Sequence, residues 1–152
     1  MDLACGGGRH TRFLAARGLR VCAVDRDANA LQTLSEVAGV TTLHADLEKD
    51  AWPLPQARFD GVVVTNYLHR PLFPRILHAL APSGVLIYET FAVGNERFGK
   101  PSNPAFLLRP GELLEVARLG GLRVVAYENL EVTAPKPAMI QRICACAVSP
   151  RA

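Results

Sequence analysis

The sequence predicts an α/β fold built on a mainly parallel sheet with helices on both faces. Three observations carry this. Short β-rich apolar runs alternate with stretches of helical periodicity along the 152 residues. Glycine or proline stands at nearly every junction between them. The last two strand-like runs have no helix between them, so they pair most simply as an antiparallel hairpin. A hydrophobic fraction of 49% and a charged fraction of 20% fit one globular domain of this length.

The elements follow in order. Asp2-Leu3 ends a first strand, and Gly6-Gly7-Gly8 turns the chain into a helix over Thr11 to Arg17 that Gly18 stops. Val21 to Val24 is the second strand. Asp27 caps a helix with Leu31, Leu34 and Ala38 on one face, closed at Gly39. Val40 to Leu43 forms a third strand, and Lys49 to Arg58, with Pro53 and Pro55, a loop. Phe59 to Val64 is a buried strand. Pro71 opens a helix that turns Leu72, Phe73, Ile76, Leu77 and Leu80 to one side. After the turn Ala81-Pro82-Ser83-Gly84 comes a fifth strand, Val85 to Thr90. Residues 92–109 form a loop too long for a mere connector. A helix between Pro110 and Gly120 leads to the hairpin strands, Leu122 to Tyr127 and Met139 to Val148.

Bulk properties exclude several classes. Seventeen basic against fourteen acidic residues leave a net charge of +3, too small by itself to imply a polyanionic partner. The modest basic strip of Arg97, Lys100 and Arg109 does not change this, so nucleic acid is not expected as a partner. There is no apolar run long enough to span a membrane and no secretory leader, so a cytoplasmic location is expected. Cys5, Cys22, Cys144 and Cys146 lack metal-site spacing, and the last two share one strand face, which suits reduced core cysteines and no metal.

The chemistry concentrates at the start of the chain. In Asp2-Leu3-Ala4-Cys5-Gly6-Gly7-Gly8-Arg9-His10 an acid closes a strand and a glycine-rich turn opens a helix. Such a turn lets backbone and helix-terminal N–H groups run close to a nucleotide-like ligand. Seventeen residues after Gly8, the second strand ends in Asp25, a position from which an acid hydrogen-bonds ribose hydroxyls. Asn66 and Tyr67 leave the fourth strand at the carboxyl edge, where open α/β sheets bind ligands.

The chain resembles the class I S-adenosylmethionine-dependent methyltransferases over residues 1 to about 148. D-L-A-C-G-G-G-R-H resembles the family's first motif, with Ala4 where its first glycine usually stands. V-D at 24–25 resembles the second motif and A-D-L at 45–47 the third. F-D-G-V-V-V-T-N-Y-L and L-A-P-S-G-V-L-I-Y-E-T resemble the segments around the fourth and fifth strands. The R-H after the glycines and the brevity of the chain are similar to small tellurite-resistance-type members. The resemblance implies a Rossmann-like, seven-stranded sheet in the order 3-2-1-4-5-7-6 with the last strand antiparallel. It also implies methyl transfer from S-adenosylmethionine to an acceptor, expected to be a small molecule.

The resemblance carries roles onto individual residues. Asp2, Ala4, Cys5, Gly6 and Gly8 lie along the methionine and ribose portions of the cofactor. Asp25, with Arg26 beside it, takes the ribose hydroxyls, and Asp46 and Leu47 meet the adenine. Asn66 and Tyr67 complete the cofactor site. The family's Asn/Asp-Pro-Pro-aromatic run is absent from Thr65-Asn66-Tyr67-Leu68, so methylation of planar nitrogens is not inferred. His69 is a candidate general base, and Glu89, at the end of the fifth strand, binds the acceptor or acts as a base. His10 serves locally at the turn, His44 and His78 serve the structure, and the 92–109 loop suits an acceptor lid.

Relatives usually carry helices ahead of the first motif that help cover the cofactor, whereas here Met1 directly precedes Asp2. Self-association, or weak binding of the donor, is the expectation for a sheet so exposed. Two other functions compete. A truncated or degenerate methyltransferase fold would act as a non-catalytic binding module. A nicotinamide-dependent oxidoreductase is disfavoured because Thr11 stands where its fingerprint wants a third glycine.

Overall fold

The computed structural model describes residues 1–148. Seven strands form one sheet: β1 (Asp2–Leu3), β2 (Val21–Asp25), β3 (Val40–His44), β4 (Phe59–Thr65), β5 (Leu80–Phe91), β6 (Leu122–Val132) and β7 (Ala138–Ala147). Their order is β3-β2-β1-β4-β5-β7-β6. The first five pair in parallel, and β7 lies antiparallel between β5 and β6. The order and the inserted antiparallel strand are as expected from the sequence. Four helices join them: α1 (Arg9–Ala15), α2 (Ala28–Gln32), α3 (Phe73–His78) and α4 (Glu112–Leu119).

Strand alternation produces two cores, one on each face of the sheet. Ala23 packs with Leu31 and Leu34 beneath α2. Its neighbour Val24 points the other way, into a larger cluster with Leu3, Val62, Val64, Leu86, Tyr88 and Ile143. Ile76 of α3 and Leu113 and Ala117 of α4 close that second cluster. A period of two along the strands is what separates the faces.

Several boundaries differ from those read in the sequence. α2 ends at Gln32 rather than running to Gly39. Beyond it the bonds tighten to i→i−3 (Leu34 N–H to Leu31 carbonyl, 2.9 Å), and the hydroxyls of Thr33 and Ser35 donate to the carbonyls of Ala30 and Gln32 at 2.7 and 2.8 Å. Those side chains compete with the helical pattern and end it. Leu34 is fully buried in the following turn, whereas Ala38 faces solvent.

Leu80 belongs to β5, opposite Phe59, and the 81–84 turn is an excursion within that strand. A Cβ on Gly84 would lie 2.8 Å from the carbonyls of Ala81 and Phe59, so only glycine closes the excursion. β6 runs to Val132, five residues past the expected end, because its pairing with β7 continues after the apolar pattern stops at Tyr127.

Candidate donor cleft and the edge beside it

A cleft of about 260 Å³ opens at the carboxyl ends of the first four strands, lined by Ala4, Asp25, Arg26, Ala45, Asp46, Leu47, Glu48, Asn66 and Tyr67. Seven of these were expected from the sequence. Ala45 and Glu48 were not, although they flank Asp46-Leu47 in the same strand exit and the topology alone brings them here. Asp2, Cys5, Gly6 and Gly8, also expected at the cofactor, are not in this lining, and Asp2 and Gly8 are buried.

The cleft is shaped by backbone. Ala4 and Asn66 line it with φ of 54° and 55°, in the left-handed region that disfavours a side chain. Such strain gathers at functional sites. The value at Ala4 is one that glycine adopts without strain. Asp25 is held from two sides: the Gly6 N–H donates to Oδ2 at 2.7 Å and the Asp27 N–H to Oδ1 at 2.9 Å. Two of its roughly four lone-pair sites are thereby used, and the others are left to the cleft.

The glycines of the turn do different things. A Cβ on Gly6 or Gly7 would meet nothing within 4 Å, so that side of the turn is open. A Cβ on Gly8 would sit 2.5 Å from the Leu34 side chain. Gly8 therefore lets α1 approach the turn after α2. Between them, burial followed by Asp2 and Asp25 pushes the Cys5 thiol up to about 12, which keeps it from acting as a nucleophile.

On the far wall, the Asp46 carboxylate accepts the Glu48 N–H at 3.1 Å, and Lys49 lies 3.6 Å away. That backbone bond, ahead of Lys49 and Arg26, lowers its pKa. The Tyr67 hydroxyl is enclosed without a hydrogen bond of standard geometry. Burial and the neighbouring Glu48 raise its pKa. The Tyr67 carbonyl accepts the buried Tyr88 hydroxyl at 2.8 Å, which pins the strand exit from below.

Beside the cleft the sheet edge turns toward β5. The Asn66 N–H donates to the Glu89 carbonyl at 2.9 Å. The Glu89 side chain faces a shallow cavity of about 180 Å³ that also includes Ile87, Ala126, Glu128, Arg142 and Cys144. Arg142 is bonded there to both Glu89 and Glu128. His10 is 3.3 Å from the Thr65 hydroxyl, and Thr65 is the register partner of Glu89 on the neighbouring strand. His69 heads the turn after β4 and lies outside the cleft lining. His44 bonds the Arg26 carbonyl and His78 bonds Arg58, both structural roles.

The 92–109 loop is tied down along its length. Asn95, 1% exposed, donates to the Pro101 carbonyl and accepts the Met139 N–H. Arg70, after β4, donates to the carbonyls of Ala105 and Leu107 and to both oxygens of Glu112. Glu112 also accepts the Arg109 N–H at 2.8 Å. Burial pushes its pKa up, but Arg70 and Arg109 together outweigh burial and hold it at about 2. Buried Gln141 fastens the same segment through the Leu113 N–H and the Arg109 carbonyl.

A sheet in this order, with a glycine turn after β1 and an acid ending β2, defines the class I S-adenosylmethionine-dependent methyltransferase architecture. The chain belongs to the methyltransferase domain family, which matches residues 1–84. Over 95 residues it is 38% identical to a trans-aconitate 2-methyltransferase of Paracidovorax citrulli (strain AAC00-1), a match that covers 57% of this chain and 36% of that protein. The chain thus spans about a third of the length of this curated relative. Among solved structures it is similar to TehB from Haemophilus influenzae, with a TM-score of 0.79 and 17% identity over 96% of this chain and 57% of that one. It is also similar to an S-adenosylmethionine-dependent methyltransferase from Mesorhizobium loti, with a TM-score of 0.73 and 20% identity over 95% and 88% of the two chains. At such identities the likeness is one of fold. Among the described residues no His, Cys, Asp and Glu side chains cluster as metal ligands, and no helix is long and apolar enough to cross a membrane.

Proposed function

We propose that this chain is the single methyltransferase domain of an S-adenosylmethionine-dependent enzyme that methylates a small-molecule acceptor. The carrying observation is Asp25, fixed by the N–H groups of Gly6 and Asp27 with acceptor capacity left toward the cleft. That is the group a ribose diol requires. Asp46 and the Leu47 N–H suit the polar edge of an adenine. The open side of the turn at Gly6 and Gly7 suits close approach of the rest of the cofactor.

When bound, the cofactor supplies a methyl group on a sulfonium, which calls for alignment more than activation. The protein's task is to hold the acceptor in line, keep it dry and accept a proton where the acceptor carries one. Glu89 and His69 are proposed for the acceptor side. Four unpaired cysteines support a cytoplasmic setting.

Titration calorimetry with S-adenosylhomocysteine tests the reading. Asp25→Ala is expected to weaken binding by about 1.5–3 kcal/mol, the range for hydrogen bonds to a charged group. Unchanged affinity in a folded variant would remove the ribose assignment, and stabilisation by NAD in place of S-adenosylhomocysteine would favour the oxidoreductase. An acceptor screen with labelled donor then identifies the substrate.

A further inference from the structure

We infer that the outer face of α1 and the turn that follows it form a docking surface for a single-stranded nucleic acid. The inference does not depend on the methyl-transfer reading. Residues 9–20 contain Arg9, Arg12, Arg17 and Arg20 and no acid. The other 140 residues hold thirteen basic and fourteen acidic side chains and so come close to neutrality, and the net positive charge of the protein is carried by this one segment. The small net charge conceals that segregation.

The fold turns the segment into a surface. α1 packs inward through Thr11, which is fully buried, and leaves Arg9, Arg12 and Phe13 exposed, with Arg17 exposed in the turn after it. The Arg12 guanidinium donates to the Thr33 carbonyl and hydroxyl at 2.7 and 3.2 Å, neutral partners that a phosphate can replace. It carries the chain from the carboxyl end of β1 back to the amino end of β2, so the arginines are spread along that return. Among the described residues none of the four makes an ion pair. Arg97, Arg109, Arg118 and Arg142 each lie 2.7–3.4 Å from a carboxylate in the ion pairs they form with Glu131, Glu112, Glu115 and Glu89. A polyanion therefore meets the α1 arginines without first displacing an acid.

The chemistry favours a nucleic acid strand over an anionic membrane. All four cations are guanidinium forks, which match phosphate oxygens bidentately and stack on flat rings. Phe13 is 52% exposed and Arg17 stacks on it 3.5 Å from the ring centroid, a platform for a base of the kind found in single-strand sites. Insertion into lipid would need that ring to protrude beyond the charges, and Arg17 covers it instead.

The test is fluorescence anisotropy of a 5′-labelled, mixed-sequence 12-nucleotide RNA with the full chain between 50 and 200 mM KCl. Four phosphate contacts predict a log–log salt slope near about −2.8, roughly a 50-fold loss of affinity across that range. The triple variant Arg9→Ala/Arg17→Ala/Arg20→Ala should flatten the slope to about −0.7. Phe13→Ala should weaken binding about tenfold at an unchanged slope. The control Arg118→Ala/Arg123→Ala should behave as the parent, and melting curves establish that every variant is folded. No binding at 50 mM salt would overturn the proposal, as would equal slopes for parent and triple variant. So would arginine-dependent sedimentation with phosphatidylserine vesicles in place of RNA binding.

Discussion

Two carboxylates are buried among the described residues, one in each half of the molecule, and they are held in opposite ways. Asp2, 1% exposed, sits at the centre of the sheet beneath the glycine turn. Its main partner is the Thr11 hydroxyl, which donates at 2.6 Å, and burial dominates, so its pKa is raised. Glu112, 7% exposed, sits where the segments after β4 and β5 meet α4, and two guanidiniums hold it well below the usual range. Burial alone does not set the state of an acid. The donors around it do, and here they set a centre where a neutral hydroxyl meets the acid against an edge where two guanidiniums do.

The largest expected effect falls on the edge. Glu112→Gln leaves Arg70 and Arg109 around an uncharged amide and should lower unfolding stability at pH 7 by about 3 kcal/mol, the order for breaking a buried ion pair. Urea denaturation measures it. The folded pKa is depressed, so the contribution is present above the unfolded value of 4.5 and is lost as the pH falls toward about 2. Parent and variant should converge there. A loss under 0.5 kcal/mol at pH 7 would reduce the cluster to surface decoration.

The next effect falls on the centre. Gly8→Ala places a Cβ 2.5 Å from Leu34 at a φ of 75° and should cost about 2 kcal/mol, from crowding plus left-handed strain. Leu34→Val in the same chain should recover part of the crowding term. Gly6→Ala has only the strain to bear in folding, since nothing lies within 4 Å of its Cβ. If the cofactor runs past this turn, its damage appears in S-adenosylhomocysteine affinity instead. Equal stability losses for the two substitutions would break the distinction.

Locality of pattern explains what was legible beforehand. The glycine turn, Asp25 and the helix-free hairpin were readable because each is a local pattern, and the cleft gathers most of the residues that pattern singled out. The shortened α2 was not, because the bonds of Thr33 and Ser35 compete with an apolar periodicity that by itself reads as helix. Nor was the anchoring of the 92–109 loop. Arg70 and Glu112 are 42 residues apart and Leu113 and Gln141 are 28 apart, with no spacing rule to link them. The arginines of α1 were visible but were averaged away in a net charge of +3.

The smallest effect is the one that tests the comparison most directly. In Asp2→Asn the Thr11 hydroxyl can donate to the amide carbonyl as it does to the carboxylate, so the change at pH 7 should be within about 1 kcal/mol. Its pH dependence is the informative part. A raised folded pKa means that the parent is least affected below the unfolded value of 3.8, where Asp2 is protonated in both states. As the pH rises through the folded value the parent must ionise a buried acid and loses stability, while the asparagine variant does not. The stability of Asp2→Asn relative to the parent should therefore rise with pH, whereas that of Glu112→Gln should fall. Urea midpoints for the three proteins between pH 3 and pH 7 give both slopes in one series. Slopes of the same sign would mean that the two acids share a common environment, and that the separation into a hydroxyl-held centre and an ion-paired edge is wrong.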